Sequence, residues 1–372
     1  MRILRVAQKV YPDVTGGGPY HVHALSRDQA DRGHDVTVAT VATDGSRPSS
    51  ERRDGYEVRR FSPTASLLGN DVSLGLARYL ASASGFDVVH AHSHLYFATN
   101  VAAVRRRLGS TPLAVTNHGL YSQTAPRWVF DGYLRTLGRW TFNRADVVFC
   151  YTDEDERRLR EIGVEAPVSV VANGIDETRF TPDGPRSDRI APEDFVVLFV
   201  GRLVEGKRPR DAIDAVARLG RDVPDASLVL VGDGPLRGDL ERYARERGVP
   251  DRVQFLGAVP YEDMPSVYRS ADVLLLPSEA EGLPRTVLEG FASEVPAVTS
   301  DLDQLVPVVE QAGETVPVGA VPEFAAALRS LADDDARRPS LGAAGRRLVH
   351  EQFTWEQTVE ETTARLEALG EW

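Results

Sequence analysis

The stretch ADVLLLPSEAEGLPRTVLEG (271–290) contains one complete strand–turn–helix unit. Its apolar run has the length and composition of a strand buried on both faces, the pattern of parallel sheets. Glu281 falls in the turn that follows. Pro284 suits the first helical position, which puts Glu289 about one and a half turns into the helix. The N–H groups of 285 and 286 then face the same side as the two acids. A buried strand thus delivers two carboxylates to a helix start, and the rest of the chain decides what they hold.

The same unit recurs along the chain. Strands are expected near 2–7, 35–41, 56–61, 87–91, 112–116, 146–151 and 168–171, and in a second series near 195–200, 227–231, 252–255, 272–276 and 296–299. Amphipathic helical stretches lie between them, among them 21–33, 210–220 and 236–248. Such alternation predicts an α/β fold with parallel sheets wrapped on both faces by helices. The series breaks at TPDGPRSDRIAPED (181–194), which reads as an interdomain linker. Two doubly wound domains facing each other are expected. The last segment, 353–369, is helical by period, with Thr354 as N-cap and Gln357 at the capping-box position.

Composition narrows the class. A chain of 372 residues is long for one core and suits two domains. Hydrophobic content of 42% and charged content of 26% belong to a soluble globular protein. No run reaches the roughly 18 apolar residues of a membrane span. MRILRVAQKVYPD (1–13) lacks the apolar core and cleavage site of a signal peptide, so a cytoplasmic protein is expected. The single cysteine, Cys150, excludes an intrachain disulfide and zinc-finger spacing. A net charge of −12 disfavours nucleic acid as a partner. Lys9 and Lys207 are the sole lysines beside 41 arginines, so each lysine position is informative.

In open parallel sheets, ligands bind beyond the carboxyl ends of the strands. The first strand runs into Gly16-Gly17-Gly18-Pro19, a turn that lets a phosphate or sugar approach backbone N–H groups at a helix start. It has neither the GxGxxG spacing nor the Walker Lys-Ser/Thr. His90, His92 and His94 alternate after FDVV, with no nearby carboxylate or cysteine to complete a metal site. His118 stands at the end of LAVTN, just before a glycine. Arg202 and Lys207 frame the loop after VVLFVG (196–201), two cations placed to stabilise a diphosphate leaving group. VLVGDGP (229–235) adds a strand–glycine turn at Gly232 for close backbone approach. Amides, cations and two acids together suit a nucleotide sugar.

These pieces resemble the family 4 retaining glycosyltransferases of the GT-B fold. The matching motifs are PDVTGGGPYHVHAL (12–25), DVVHAHSH (87–94), VTNHG (115–119), VANGID (171–176), FVGRLVEGKRP (199–209), LVGDGP (230–235), VQFLGAVP (253–260) and ADVLLLPSEAEGLPRTVLEGFA (271–292). They run in the family's order over almost the whole chain. The Glu-x7-Glu spacing of 281 and 289, with Arg202 and Lys207 upstream, is the specific part.

The resemblance implies an acceptor-side Rossmann-like domain over 1–177, with the helix 353–372 (Trp355 near its start) packing back on it. A nucleotide-sugar-binding domain over 178–352 would face it across a cleft. Arg202 and Lys207 would hold the donor diphosphate and stabilise it as it leaves. Glu289 would accept from the ribose hydroxyls, and Glu281 would face the transferred sugar. His118 would contact that sugar, Gly17 and Gly18 would lend amides, and Asn173 would line the domain junction. Gly201, Gly232, Leu256, Gly282, Leu283 and Arg285 complete the expected donor site. Transfer to an acceptor hydroxyl would proceed with retention, by front-face displacement, with no metal or other cofactor. Gly282-Leu283-Pro284 replaces the Gly-Phe-Gly of many members, so phosphate contacts there must come from amides other than that of Pro284.

The partners expected are a nucleoside-diphosphate sugar and a glycan or lipid-linked acceptor in glycan, glycolipid or surface polysaccharide assembly. RWVFDGYLRTLGRWTFNRA (127–145) interleaves Arg127, Arg135, Arg139 and Arg144 with aromatic residues, and RRR stands at 105–107. This suits a surface for anionic membrane at the inner face, or equally a helix packed on its own sheet with its arginines solvated. A glycoside hydrolase is disfavoured, since its two carboxylates must flank the scissile bond. A nucleotide-sugar 2-epimerase-like enzyme and a silent nucleotide-sugar binder remain the alternatives.

Overall fold

The computed structural model describes residues 1–42, 47–67, 69–120, 127–191 and 195–370. The chain divides into two compact units, Met1–Ala172 with Thr358–Trp372, and Asn173–Gln357.

The N-terminal unit holds the strands β1 (Arg2–Val6), β2 (Asp35–Val41), β3 (Ser50–Arg53), β4 (Tyr56–Phe61), β5 (Ala65–Leu67), β6 (Asn70–Val72), β7 (Val88–His92), β8 (Leu113–Thr116), β9 (Val147–Cys150) and β10 (Val168–Val170). Eight of them form one sheet in the order β10-β9-β8-β7-β1-β2-β4-β3, while β5 and β6 pair apart. All neighbours in the large sheet run parallel except β3 against β4. Alternate residues serve opposite faces, as the strand period requires. Leu4, Val6, Val89 and Ala91 pack in one core, Ile3 and Val88 in the other. Leu366 of the helix Trp355–Gly370 belongs to the second core.

The C-terminal unit holds β11 (Phe195–Val200), β12 (Ala226–Val231), β13 (Val253–Gly257), β14 (Val273–Leu276), β15 (Ala297–Ser300) and β16 (Gly313–Val316). They form one parallel sheet in the order β13-β12-β11-β14-β15-β16. Strand order reverses between β11 and β14, the crevice where doubly wound sheets take ligands. β11 and β14 are built almost wholly of Val, Leu and Phe and carry the core between the two helical layers. Both units are therefore Rossmann-like α/β sheets.

Three local readings change. Pro284 is the N-cap, in extended conformation, and the helix Arg285–Ala292 starts one residue later. The segment 181–194 is no free linker. Arg269 donates to the carbonyls of Pro185 (2.8 Å) and Thr181 (3.2 Å), Gln254 to that of Arg189 (2.6 Å), and Ser187 N–H to Ser266 O (3.1 Å). Its described part, 181–191, is thus bound to the C-terminal unit, and 192–194 lie outside the described residues. The third change is an addition, the strands β3, β5, β6 and β16. The capping box is present, with Thr354 N–H on Gln357 Oε1 and Gln357 N–H on Thr354 Oγ1, both at 3.2 Å.

Candidate active site

In the C-terminal unit, the two strands at the switch point bring the opening stretch to the cationic loop. Lys207, in the short turn Glu205–Lys207 after β11, forms an ion pair with Glu281 Oε1 in the turn after β14. Glu281 is only 3% exposed, and Lys207 is the cation paired with it there. The two turns are also joined through the backbone, Glu279 N–H donating to Gly206 O at 2.9 Å. Gln304 donates its amide to Glu281 O. Arg202 is exposed in the same loop.

Gly201, Gly232 and Leu256 sit at neighbouring strand ends. Gly201 N–H donates to Val231 O and Gly232 N–H to Gly257 O, each at 2.9 Å. Gly232 has φ +126°, and a Cβ there would lie 2.0 Å from the Gly201 carbonyl oxygen, so only glycine lets these turns close. Leu256 is half-buried in β13, and its carbonyl accepts from Arg189 (2.9 Å). Gly282 and Leu283 are buried beside Glu281.

Glu289 lies in a second buried nest. Tyr268 Oη donates to one carboxylate oxygen at 2.9 Å and Tyr261 Oη to the other at 3.2 Å, while Arg285 Nε stands 3.7 Å away. Burial raises its pKa above the usual carboxylate value, and the nearby guanidinium opposes that rise. Arg285 donates to Gly174 O (2.7 Å) and Tyr261 Oη (3.1 Å). Asn173 is buried at the start of the unit.

In the N-terminal unit the strand ends gather histidines. Gly16 adopts φ +136° and the helix Gly17–Asp31 starts directly after it. A Cβ on Gly18 would lie 4.0 Å from His118 Nδ1. His118 Nδ1 meets Tyr151 Oη at 2.6 Å, and Nε2 meets His92 Nδ1 at 3.1 Å. Both ring nitrogens thus have partners inside the unit, and a sugar hydroxyl reaching His118 would replace one of them. Burial lowers its pKa to about 4, so the imidazole is neutral. His21 packs edge-on to it at 5.4 Å.

Arg5 lies beneath this cluster, fully buried, with Ser26 Oγ at 2.8 Å, Gln29 Oε1 at 2.6 Å and His90 Nδ1 at 3.5 Å. Because a guanidinium can only donate, His90 accepts at Nδ1 and offers its Nε2 proton to Thr116 Oγ1 at 2.7 Å. His90, His92 and His94 are all buried, and among the described residues no group of three or more His, Cys, Asp or Glu is placed to hold a metal ion.

Sequence reading missed Tyr151, Tyr261, Tyr268, Gln304 and Arg5. Tyr261 directly follows VQFLGAVP and Tyr151 ends the run after β9, so a search of every strand end would have found both. The triple arginine also changes meaning. Arg105 donates to Leu80 O and Ala83 O (3.0 and 2.9 Å), and Arg106 forms a two-point pair with Asp146 (2.7 and 2.8 Å). Those two cations are engaged within the unit. In 127–145, Phe130, Leu134 and Phe142 enter the core, while Trp128 is 78% exposed and Arg135, Arg139 and Arg144 are exposed. The side chain of Arg127 lies outside the described residues.

Comparison with known proteins gives the chain its class. The family model "Glycosyltransferase Family 4" matches residues 15–179, and "Glycosyl transferases group 1" matches 182–348. A glycogen synthase of Mycobacterium tuberculosis (strain ATCC 25618 / H37Rv) is 30% identical over 98% of this chain and 94% of its own. The chain belongs to the GT-B retaining glycosyltransferases of family 4. A D-inositol 3-phosphate glycosyltransferase of Kribbella flavida is 32% identical over 94% of this chain and 90% of its own. The solved sucrose-phosphate synthase of Thermosynechococcus elongatus superposes with a TM-score of 0.84 at 22% identity, covering 99% of each chain. This glycosyltransferase is accordingly an enzyme of GT-B fold that moves a sugar from a nucleoside-diphosphate sugar to an acceptor.

Proposed function

We propose that the enzyme performs this transfer with a donor site built in the C-terminal unit and without a metal. The observation that carries the reading is the Lys207–Glu281 pair at the switch point, with Glu289 one helical turn further on in its tyrosine nest. Arg202 and Lys207 take the diphosphate, Glu289 the ribose hydroxyls and Glu281 the transferred sugar. The amides near Gly201, Gly232, Leu256, Gly282 and Leu283 line the donor. Binding of the diphosphate draws Lys207 partly away from Glu281, which frees that carboxylate to accept from sugar hydroxyls. The anomeric carbon–phosphate oxygen bond breaks as the acceptor oxygen bonds to the same face. The acceptor proton passes to the departing phosphate oxygen, so no protein base is needed, and the two cations stabilise the charge that develops.

The N-terminal unit takes the acceptor side in this reading. Gly17 and Gly18 lend amides, and His118, oriented by His92 and Tyr151, meets a sugar hydroxyl. The names of the two relatives, a glycogen synthase and a D-inositol 3-phosphate glycosyltransferase, both support a polyhydroxylated acceptor. Work in the cytoplasm, at the inner membrane face where the acceptor is lipid-linked, is part of the proposal. Exposed Trp128 and Leu108 (82%) with exposed Arg107 and Arg135 support a peripheral contact with anionic lipid. No helix among the described residues is long and apolar enough to cross a membrane.

The test is a panel of UDP-, GDP-, ADP- and dTDP-sugars without acceptor, followed by binding and slow hydrolysis. One donor should bind, and Glu281→Ala and Lys207→Ala should each lose turnover. Absence of binding by every donor sinks the proposal, and return of an epimerised donor makes the enzyme an epimerase. Cosedimentation with phosphatidylglycerol vesicles but not phosphatidylcholine vesicles, weakened by Trp128→Ala, tests the lipid contact.

A further inference from the structure

The chain enters the C-terminal unit at Asn173 and leaves it at Gln357, and the two segments are paired. Ile175 bridges Thr354 in parallel, its N–H donating to Phe353 O at 2.9 Å and its carbonyl accepting from Trp355 N–H at 2.8 Å. One buried side chain touches both segments and the proposed ribose acid. Arg285 donates through one terminal nitrogen to Gly174 O (2.7 Å) and through the other to Tyr261 Oη (3.1 Å). Its Nε faces Glu289 at 3.7 Å, and its guanidinium lies 5.6 Å from the Trp355 ring centroid. Tyr261 accepts from Arg285 and donates its own hydroxyl hydrogen bond to Glu289, so the bonds run in one direction from the arginine to the carboxylate.

We infer that Arg285 is a positioning residue of the nucleotide site, whose fork makes nucleotide affinity and the order of 173–176 and 353–355 depend on one another. The inference rests on the reading of Glu289 as the ribose acceptor. A ribose hydroxyl donating to Glu289 competes with Tyr261 and Tyr268 for the carboxylate oxygens and fixes where that charge sits. The guanidinium is a rigid planar fork. A shift at its Nε edge is therefore carried to the nitrogen on Gly174 O and to the face stacked on Trp355. Coupling of this kind is reciprocal: what the nucleotide does to the paired segments, their order does to nucleotide affinity. Lysine in place of arginine keeps the charge but cannot bond Gly174, Tyr261 and Glu289 together.

The experiment is hydrogen exchange by mass spectrometry on the full chain, with and without the nucleoside diphosphate (UDP, GDP, ADP or dTDP) that the wild type binds. Wild type, Arg285→Lys, Tyr261→Phe and Glu289→Ala are compared. In wild type the nucleotide should slow exchange about fivefold or more in peptides covering 173–176 and 353–356. Arg285→Lys should bind about tenfold more weakly and show no slowing there at saturation. Tyr261→Phe, which removes one bond and keeps the fold, should lie between. If Arg285→Lys binds like wild type, or if its segments still slow at saturation, the inference is overturned. Should Arg285→Lys fail to fold, Tyr261→Phe decides by the same two readouts. Glu289→Ala separates the two levels: wild-type affinity in that variant refutes the ribose reading itself. Weak binding there, with Arg285→Lys behaving as wild type, refutes the inference alone.

Discussion

The N-terminal unit should be unusually acid-labile, because it buries several histidines in the neutral form. Burial lowers His23 and His118 to about 4 and His94 to about 3, and holds His90 and His92 well below the ordinary histidine value. In the unfolded chain each titrates near 6.5. Between the folded and unfolded values the unfolded state binds more protons, so stability is full above about pH 6.5 and is lost as pH falls toward the folded values. For a histidine at 4, acidification from pH 7 to 5 costs about 2 kcal/mol, and the three with stated values together lose roughly 5 kcal/mol. That is of the order of a whole domain's stability. Cys150, the single cysteine, is fully buried at the end of β9 and reports the opening of this unit alone. Its labelling by 4,4′-dithiodipyridine, divided by the rate in urea at the same pH, should rise three to four orders of magnitude, at about 1.4 kcal/mol per decade. His94→Phe, which replaces a ring lying against Phe142 at 4.7 Å, removes one titrating group and should reduce that rise by roughly tenfold or more. A normalised rate that stays within tenfold from pH 7 to 5 would refute the reasoning.

Three further outcomes follow from the C-terminal unit. Lys207→Ala should abolish donor turnover and lower stability by about 3 kcal/mol, because it strands the buried Glu281 carboxylate. Adding Glu281→Gln should recover much of the melting temperature but none of the activity, and recovery of both would argue against a donor role. Nucleotide affinity should begin to fall on acidification at a pH above the ordinary glutamate range, since burial raises Glu289 and the ionised form is the proposed ribose acceptor. Binding isotherms across pH 4.5–7.5 check this, with Glu289→Gln weak and flat. Gly232→Ala drives a methyl into the Gly201 carbonyl at a positive φ and should cost several kcal/mol, seen as a lowered urea midpoint.

The strands buried on both faces were legible because their composition is nearly unmixed; β11 and β14 read as strands from their letters alone. The missed strands fail that signal for a physical reason. Ser50–Arg53 and Ala65–Leu67 are exposed or half-exposed, and Gly313–Val316 is an edge strand with only its last residue buried. Their pairing comes from neighbours, not from their own residues. The supposed linker shows the converse error. Polar, proline-rich composition marks contact with water, but the carbonyls of Thr181 and Pro185 are held by Arg269, which is remote in sequence.

The site was half legible for the same reason. A strand end announces that a residue such as Glu281 will be delivered to a crevice, and the turn pattern names it. What meets it there is fixed by sheet order and register, which no local pattern carries: Tyr261 and Tyr268 reach Glu289 from 28 and 21 residues away. Composition supplied one clue that crossed this gap. In a chain with 41 arginines, Lys207 stands beside the buried Glu281. A compact ammonium concentrates its charge at a single point and rotates freely, whereas a guanidinium spreads its charge over a rigid fork. In the proposed donor site Glu281 gives up its partner when a diphosphate arrives, and a point charge can turn from carboxylate to phosphate without leaving the pocket. Arg285, which meets Gly174, Tyr261 and Glu289 at once, is an arginine on the same argument.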